Sequence, residues 1–219
     1  MVVMKVKNLK KFIFLMIVIF FLLTIATQII KSYEEKVVQV DYNVAENLSN
    51  SLKINQIKKL QDKYQNKDIK GILNIEGEQL NYPVAQGINN DYYLEHNYYK
   101  EYNKLGAVYL DYRVNLETSR KILIYGHSST KQDTYFNILE NYYDKDYYQQ
   151  HKYITLETET NIYKYEIFSV YIETSDFTYM NMNFDNEESW YSHLLKLQNK
   201  SLYPIDSNIT KEDNILILQ

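Results

Sequence analysis

Cysteine is absent from the 219 residues, so a disulfide scaffold, a thiolate metal site and, taken literally, a cysteine nucleophile are all excluded. Proline occurs twice and glycine five times, too rarely for collagen-like or low-complexity material. The sequence has no G-x-S-x-G elbow, no phosphate-binding G-x-x-x-x-G-K-[ST] loop, no H-E-x-x-H pair and no glycine-rich dinucleotide fingerprint. No acidic cluster has EF-hand spacing, so neither a metal nor a cofactor is expected. Hydrophobic residues make up 45% of the chain, enough to build a core. Tyrosine is abundant at 24 copies, but alongside many Lys, Asn and Ile it reads as compositional bias as much as functional demand. The length suits one domain with an appendage.

Charge is distributed unevenly. Lys5, Lys7, Lys10 and Lys11 precede every acidic residue, and an apolar run from Phe12 to Leu23 extends through Ile30. As a helix those 19 residues would reach roughly 28 Å, close to the hydrocarbon thickness of a bilayer. The basic flank is expected to stay inside. This predicts a cytoplasmic tail over 1–11, an uncleaved signal anchor over 12–30 and an extracellular remainder in a single-pass cell-membrane protein. A cleaved signal peptide would need a small-x-small site, and only Ala26 is small and apolar near the end of the run. A core helix would not be apolar on every face. Without those four lysines the chain keeps 20 Lys and Arg against 28 Asp and Glu, a formal −8. With no dense basic patch after residue 31, nucleic acid is excluded as a partner.

Residues 31–70 are polar and almost free of glycine and proline. Leu48, Leu52, Ile57, Leu60 and Tyr64 fall near helical spacing, which predicts one or two packing or stalk helices. After Gly71 short β-rich runs take over, at Ile72–Ile75, Leu80–Val84, Ala107–Leu110, Lys121–Tyr125, Tyr153–Glu157, Tyr163–Tyr171 and Ile215–Leu218. Gly77 and Thr158–Asn161 read as hairpin turns. Helices are expected over Thr134–Tyr142 and Asn186–Asn199, the latter with Trp190, Leu194 and Leu197 on one face. The expected class is mainly β (α+β), a barrel or sandwich spanning 71–219 behind an N-terminal helical appendage, with a long helix before the last strand.

Of the four histidines, His96 and His151 lie in polar stretches and read as surface residues, and His193 reads as exposed or partly packed. His127 differs, because it follows an apolar strand and Gly126 and so stands at a sheet rim, where functional loops gather. A histidine at a strand end can equally be structural. Asp111 and Arg113 read as a structural ion pair.

Several segments together resemble class B sortases, the membrane-anchored cysteine transpeptidases of Gram-positive bacteria. Tyr125-Gly126-His127 is similar to the family's catalytic-histidine segment. Asn81-Tyr82-Pro83-Val84, Gln86-Gly87 and Asn90-Asp91-Tyr92-Tyr93-Leu94 resemble its N-Y-P-V-x-Q-x-x-D-N-x-Y-Y-L stretch. Gly106-Ala107-Val108-Tyr109-Leu110-Asp111-Tyr112-Arg113 resembles its G-x-x-F-x-D-x-R segment. The Phe136-Asn137 helix, the Tyr165–Tyr171 strand and the long helix before a last strand follow in the same order.

The resemblance implies a sortase β-barrel. It also implies an enzyme that cuts a C-terminal sorting signal, holds the acyl group on a cysteine and passes it to an amine of the cell-wall peptide or its lipid-linked precursor. By the same resemblance His127 is catalytic, and Asn81, Tyr125, Tyr179, Met180 and Gln219 line the sorting-signal groove. Asn81, Tyr125 and Tyr179 also have plain readings as turn or packing residues. In the family the strand resembling Asn214–Gln219 continues into Thr-Cys, the nucleophile, and a later strand carries the catalytic arginine. The sequence is therefore expected to be truncated before its nucleophile and inactive as given. A non-catalytic, membrane-anchored relative that binds sorting signals or wall peptide is the alternative. A tyrosine-rich carbohydrate-binding barrel is a third, weaker reading, because the tyrosines are scattered over strands, loops and helices.

Overall fold

A computed structural model describes residues 19–36 and 56–219. The chain divides into two units, 1–49 and 50–219. In the first, residues 19–36 form a helix with exposed Phe20, Phe21, Leu22 and Leu23. It runs past Ile30 through Lys31, Glu34, Glu35 and Lys36. Residues 12–18 of the expected anchor lie outside the described residues, as do Leu48 and Leu52. Among the described residues no helix is long and apolar enough to cross a membrane.

The second unit opens with helix α1 (56–64). Its Ile57, Leu60 and Tyr64 pack on Ile69 and Ile72, an i, i+3, i+7 stripe as expected for an amphipathic helix. Strand β1 (Ile69–Ile75) starts earlier than the sequence pattern suggests, with an irregularity in its register between Ile69 and Gly71. It is followed by β2 (Tyr82–Ala85), β3 (Tyr109–Leu110) and β4 (Lys121–Tyr125). Next come a 3₁₀ segment (Tyr135–Tyr143), α2 (Lys145–Gln150), β5 (Tyr153–Thr158) and β6 (Ile162–Glu166). A second 3₁₀ turn (Phe177–Met180), α3 (Glu187–Asn199) and β7 (Ile215–Leu218) complete the order.

One seven-stranded sheet runs β6-β5-β1-β2-β3-β4-β7 and curls into a nearly closed barrel. Pairings β2–β3 and β4–β7 are parallel and the others antiparallel. Strand β4, beside the last strand β7, is buried along its whole length, the pattern of a strand covered on both faces. Ile122 and Ile124 join Leu73, Leu110, Phe136 and Leu156 inside the barrel. Leu123 and Tyr125 join Trp190, Leu194 and Leu197 under α3.

The expected strand over 163–171 stops at Glu166, because Glu166 pairs with Tyr153, the first residue of β5. Beyond it no partner strand remains, and the chain turns to α3, where Ser169 Oγ donates to Leu197 O (2.6 Å). The helix expected over 134–142 is a 3₁₀ segment. Two histidine expectations are corrected. His193 is only 8% exposed, since it shares the inward face of α3 with Trp190, Leu194 and Leu197. His96 and His151 are half-buried, each stacked on a tyrosine four residues earlier, at 4.2 and 4.0 Å between ring centroids.

Helix α3 begins with a reciprocal cap. The Asn186 side chain accepts from Ser189 N (2.8 Å), and Ser189 Oγ accepts from Asn186 N (3.2 Å). Glu187 and Glu188 in the first turn and Lys196 in the last also complement the helix dipole. Asn186→Ala is expected to cost about 1 kcal/mol, read as a lower urea midpoint with an unchanged slope.

Candidate active site

The rim of the barrel where β4 and β7 end collects the groups of chemical interest. The buried strand β4 leads straight into Gly126 and His127. Gly126 lies against the Phe136 ring, where an added Cβ would come within 2.8 Å of ring carbons, so a side chain here would displace the ring. Phe136 N donates to His127 O (3.0 Å), so the 3₁₀ segment holds the histidine's carbonyl. Asn137 holds the following loop by accepting from Ser129 N (2.7 Å) and Thr134 Oγ1 (2.6 Å).

The half-buried imidazole of His127 places Nε2 2.7 Å from the carbonyl oxygen of Leu94. A carbonyl can only accept, so Nε2 carries a proton, and in the neutral imidazole the lone pair is then on Nδ1. Leu94 in turn is set by its neighbour Gly106, which has φ +58 and so closely approaches the Tyr93 and Leu94 carbonyls that a Cβ would stand 2.6 Å from each. Ala107 N donates to Tyr93 O (3.0 Å). The left-handed conformation and the contact both call for glycine.

Parallel pairing brings the end of β7 to the same place. Gln219 N donates to Ile124 O (3.0 Å) and Gly126 N donates to Gln219 O (2.8 Å). Gln219 therefore stands opposite Tyr125, two residues before His127. Register puts exposed Asn81 on this rim too, where its Oδ1 accepts from Asn74 Nδ2 (2.9 Å). Tyr125 is buried below, its ring tilted against Tyr109 at 5.2 Å and its hydroxyl donating to Asp111 Oδ2 (2.8 Å). Tyr179 is buried under α3, and Met180 is half-buried with its carbonyl accepting from Arg113 (3.3 Å). Gln219 and Asn81 thus share the rim with His127, whereas Tyr125 and Tyr179 have their side chains in the interior.

Asp111 organises the floor. Its fully buried carboxylate accepts from Arg113 Nε and NH2 (2.8 Å each), Arg113 N (2.9 Å), Asn90 Nδ2 (2.9 Å) and Tyr125 OH (2.8 Å). Burial alone would raise its pKa, but the hydrogen bonds from Arg113, Asn90 and Tyr125 hold the carboxyl well below the usual range. Burial and the hydrogen bond to Asp111 together push the Tyr125 hydroxyl upward. Both arginines are engaged, Arg113 with Asp111 and Arg120 with Glu187 (2.9 Å). Among the described residues no three His, Asp or Glu side chains are placed to hold a metal ion.

The Leu94 carbonyl had no signal in the sequence, because every residue carries one. Gly106 and Gly126 were findable, since only five glycines exist and two flank the histidine's surroundings. The role of Asp111 as a shared acceptor for Asn90 and Tyr125 was not, although its pairing with Arg113 was.

A nearly closed seven-stranded barrel with a histidine at the rim where parallel β4 and β7 end is the arrangement of a sortase, and the chain belongs to that family. The family model for the sortase domain matches residues 73–213. Among individual proteins, the chain is 32% identical over 154 residues to sortase B of Staphylococcus aureus, covering 70% of this chain and 63% of that protein. It is 35% identical over 154 residues to sortase B of Listeria monocytogenes, covering 70% and 62%. A Staphylococcus aureus sortase B–substrate complex superposes with a TM-score of 0.68 at 31% identity, covering 74% of each chain. The chain spans less than two thirds of the length of these two curated relatives.

Proposed function

We propose that this chain is the barrel of a class B sortase, a cysteine transpeptidase that cleaves the sorting signal of an exported protein and joins it to an amine of cell-wall peptide or its lipid-linked precursor. The observation that carries the reading is the convergence of His127 and the end of β7 on one rim, with Nδ1 of His127 left free by the Nε2–Leu94 hydrogen bond. In the proposed reaction the cysteine thiol first passes its proton to Nδ1 of His127, and the resulting thiolate attacks the scissile carbonyl, whose π electron pair moves to oxygen. The C–N bond then breaks, with His127 protonating the leaving amine. The incoming amine next attacks the thioester, gives up its proton to His127 and expels the thiolate.

The thiol is not among the 219 residues, and we assign it to chain following Gln219, along the direction in which β7 approaches His127. The arginine that would steady the oxyanion is assigned to that same segment. Asn81, Gln219, Tyr179 and Met180 are proposed to shape the peptide groove, Tyr125 acting from beneath. The proposal includes a signal anchor over 12–30 with 1–11 in the cytoplasm and the barrel outside the cell, supported by the basic flank and the apolar run. The missing cysteine keeps one other reading alive, a non-catalytic relative that binds sorting signals or wall peptide.

Reading the gene past Gln219 separates the two. Thr-Cys followed by an arginine-bearing strand supports the enzyme, and a stop codon there supports the binder. In the cysteine-bearing protein, His127→Ala is expected to lower cleavage of a sorting-signal peptide by about 100- to 10,000-fold. Full activity in that variant would refute the assignment. The 219 residues alone should give no cleavage.

A further inference from the structure

Lys121 opens β4 with its side chain turned inward and only 3% of the residue exposed. Its ammonium forms no ion pair among the described residues. Instead Nζ donates to Asn181 O (2.8 Å) and lies 2.9 Å from Nε2 of His193, itself buried on α3. Since Nζ offers only protons when charged, Nε2 must be the acceptor and the imidazole must be neutral. The surroundings favour that state. Burial first, then the charge of Lys121, push His193 down to about 4, while burial and nearby Arg113 push Lys121 down to about 7.

The carbonyl that Lys121 holds belongs to the segment 177–184, which is fastened at two further points. Arg113 NH2 donates to Met180 O (3.3 Å), and the Phe184 ring lies 5.7 Å from Lys121 Nζ and 4.9 Å from the His193 ring. We propose that Lys121 and neutral His193 form a positioning pair that fastens segment 177–184 to the barrel, and that protonation of His193 unfastens it. An imidazolium can no longer accept from Lys121 and places a second positive charge beside the first.

Among the described residues the nearby carboxylates, Asp111 and Asp176, offset only part of that repulsion, because each is already bound to other cations. On the Lys121 side stand Arg113 and the Asp111 carboxylate, which are bound to each other. On the His193 side, Lys196 and Lys200 both add positive charge, and Asp176 is already bound by the two of them at 3.1 and 2.9 Å. Lys200 also pairs with Glu173. Arg120, over the Trp190 ring at 4.9 Å, is taken up by Glu187. The segment carries Tyr179 and Met180, so the pair also sets one wall of the peptide groove. That consequence rests on the function proposed above, whereas the fastening does not.

Trp190 is the only tryptophan, and its ring lies 6.1 Å from that of His193. An imidazolium quenches indole emission, which gives a direct readout in the full chain held in a non-ionic detergent. Between pH 7 and 3.5, emission is expected to fall, and hydrogen-exchange protection factors over 177–184 to drop at least tenfold. Amides of β1 and β5 should keep theirs. His193→Gln, which retains an acceptor but gains no proton, should keep the neutral-pH protection and lose the acid transition. Lys121→Met should show low protection over 177–184 at every pH. An unchanged acid transition in His193→Gln, or wild-type protection in a folded Lys121→Met, would overturn the proposal. Should Lys121→Met not fold, His193→Gln decides alone. In the cysteine-bearing protein, acid release without any change in affinity for a sorting-signal peptide would leave the fastening intact and refute the groove reading of Tyr179 and Met180.

Discussion

Asp111→Ala is expected to lower stability by about 3–5 kcal/mol at neutral pH, the range for leaving a buried charge or donor set without its partner. The variant removes the shared acceptor of Arg113, Asn90 and Tyr125 in one step. Arg113 is 36% exposed in its side chain and can recover water, which argues for the lower half of that range. Tyr125 cannot, because its hydroxyl is buried between β4 and the Asp111 turn. The pH dependence has a definite sign. The folded carboxyl titrates below its unfolded value of about 3.9, so its contribution is complete at neutral pH and is lost as pH falls below about 4. Urea midpoints at pH 7 and pH 3 should therefore differ less between variant and wild type in acid. A loss under about 1 kcal/mol at pH 7, the size of one ordinary hydrogen bond, would show that the network does not hold the rim.

Gly106→Ala is expected to damage the site from a distance. Alanine at φ +58 is disfavoured by about 1–2 kcal/mol, and its Cβ would stand 2.6 Å from both the Tyr93 and Leu94 carbonyls. Backbone cannot swing aside as a flexible side chain would, so the loss should exceed the conformational term. The oxygen pushed away on one side is the acceptor that keeps the proton on Nε2 of His127. Imidazole nitrogen shifts should then show mixed tautomers in the variant and one tautomer in the wild type. Leu94→Ala retains the carbonyl and should leave the His127 tautomer alone. A Gly106→Ala protein with wild-type stability and an unchanged tautomer would remove Gly106 from the account of the site.

Much of the barrel was legible because its strands carry their own signal. The run Lys121–Tyr125 is apolar apart from its first residue, and it is the strand buried on both faces. Where the outline differs from the sequence pattern, the cause is pairing. Residues 167–171 are as β-rich as those before them, yet β5 offers nothing opposite, and the strand ends at Glu166. Residues 69–70 are drawn into β1 because Ile69 pairs with Ala85 of β2.

The inward turn of Lys121 and His193 was not legible. Each sits among residues that would normally carry a polar group to solvent, and only the packing of α3 against β4 buries both and sets them 2.9 Å apart. The site shows the same division. His127 stood out because a strand, a glycine and a histidine follow one another in the chain, and the resemblance to sortases rests on that string and its companions. Its proton position depends on Leu94, thirty-three residues away, and on a glycine that lets the carbonyl come close.

By itself the sequence determined the β-rich class, the amphipathic helices and the rim histidine, because each is written in residue type and local period. Tertiary structure alone decided which interior groups meet. Hydrogen bonds among Asp111, Tyr125 and Asn90, the Leu94–His127 contact and the Lys121–His193 pair join residues distant in the chain, and their partners are chosen by strand register and helix packing rather than by any local preference.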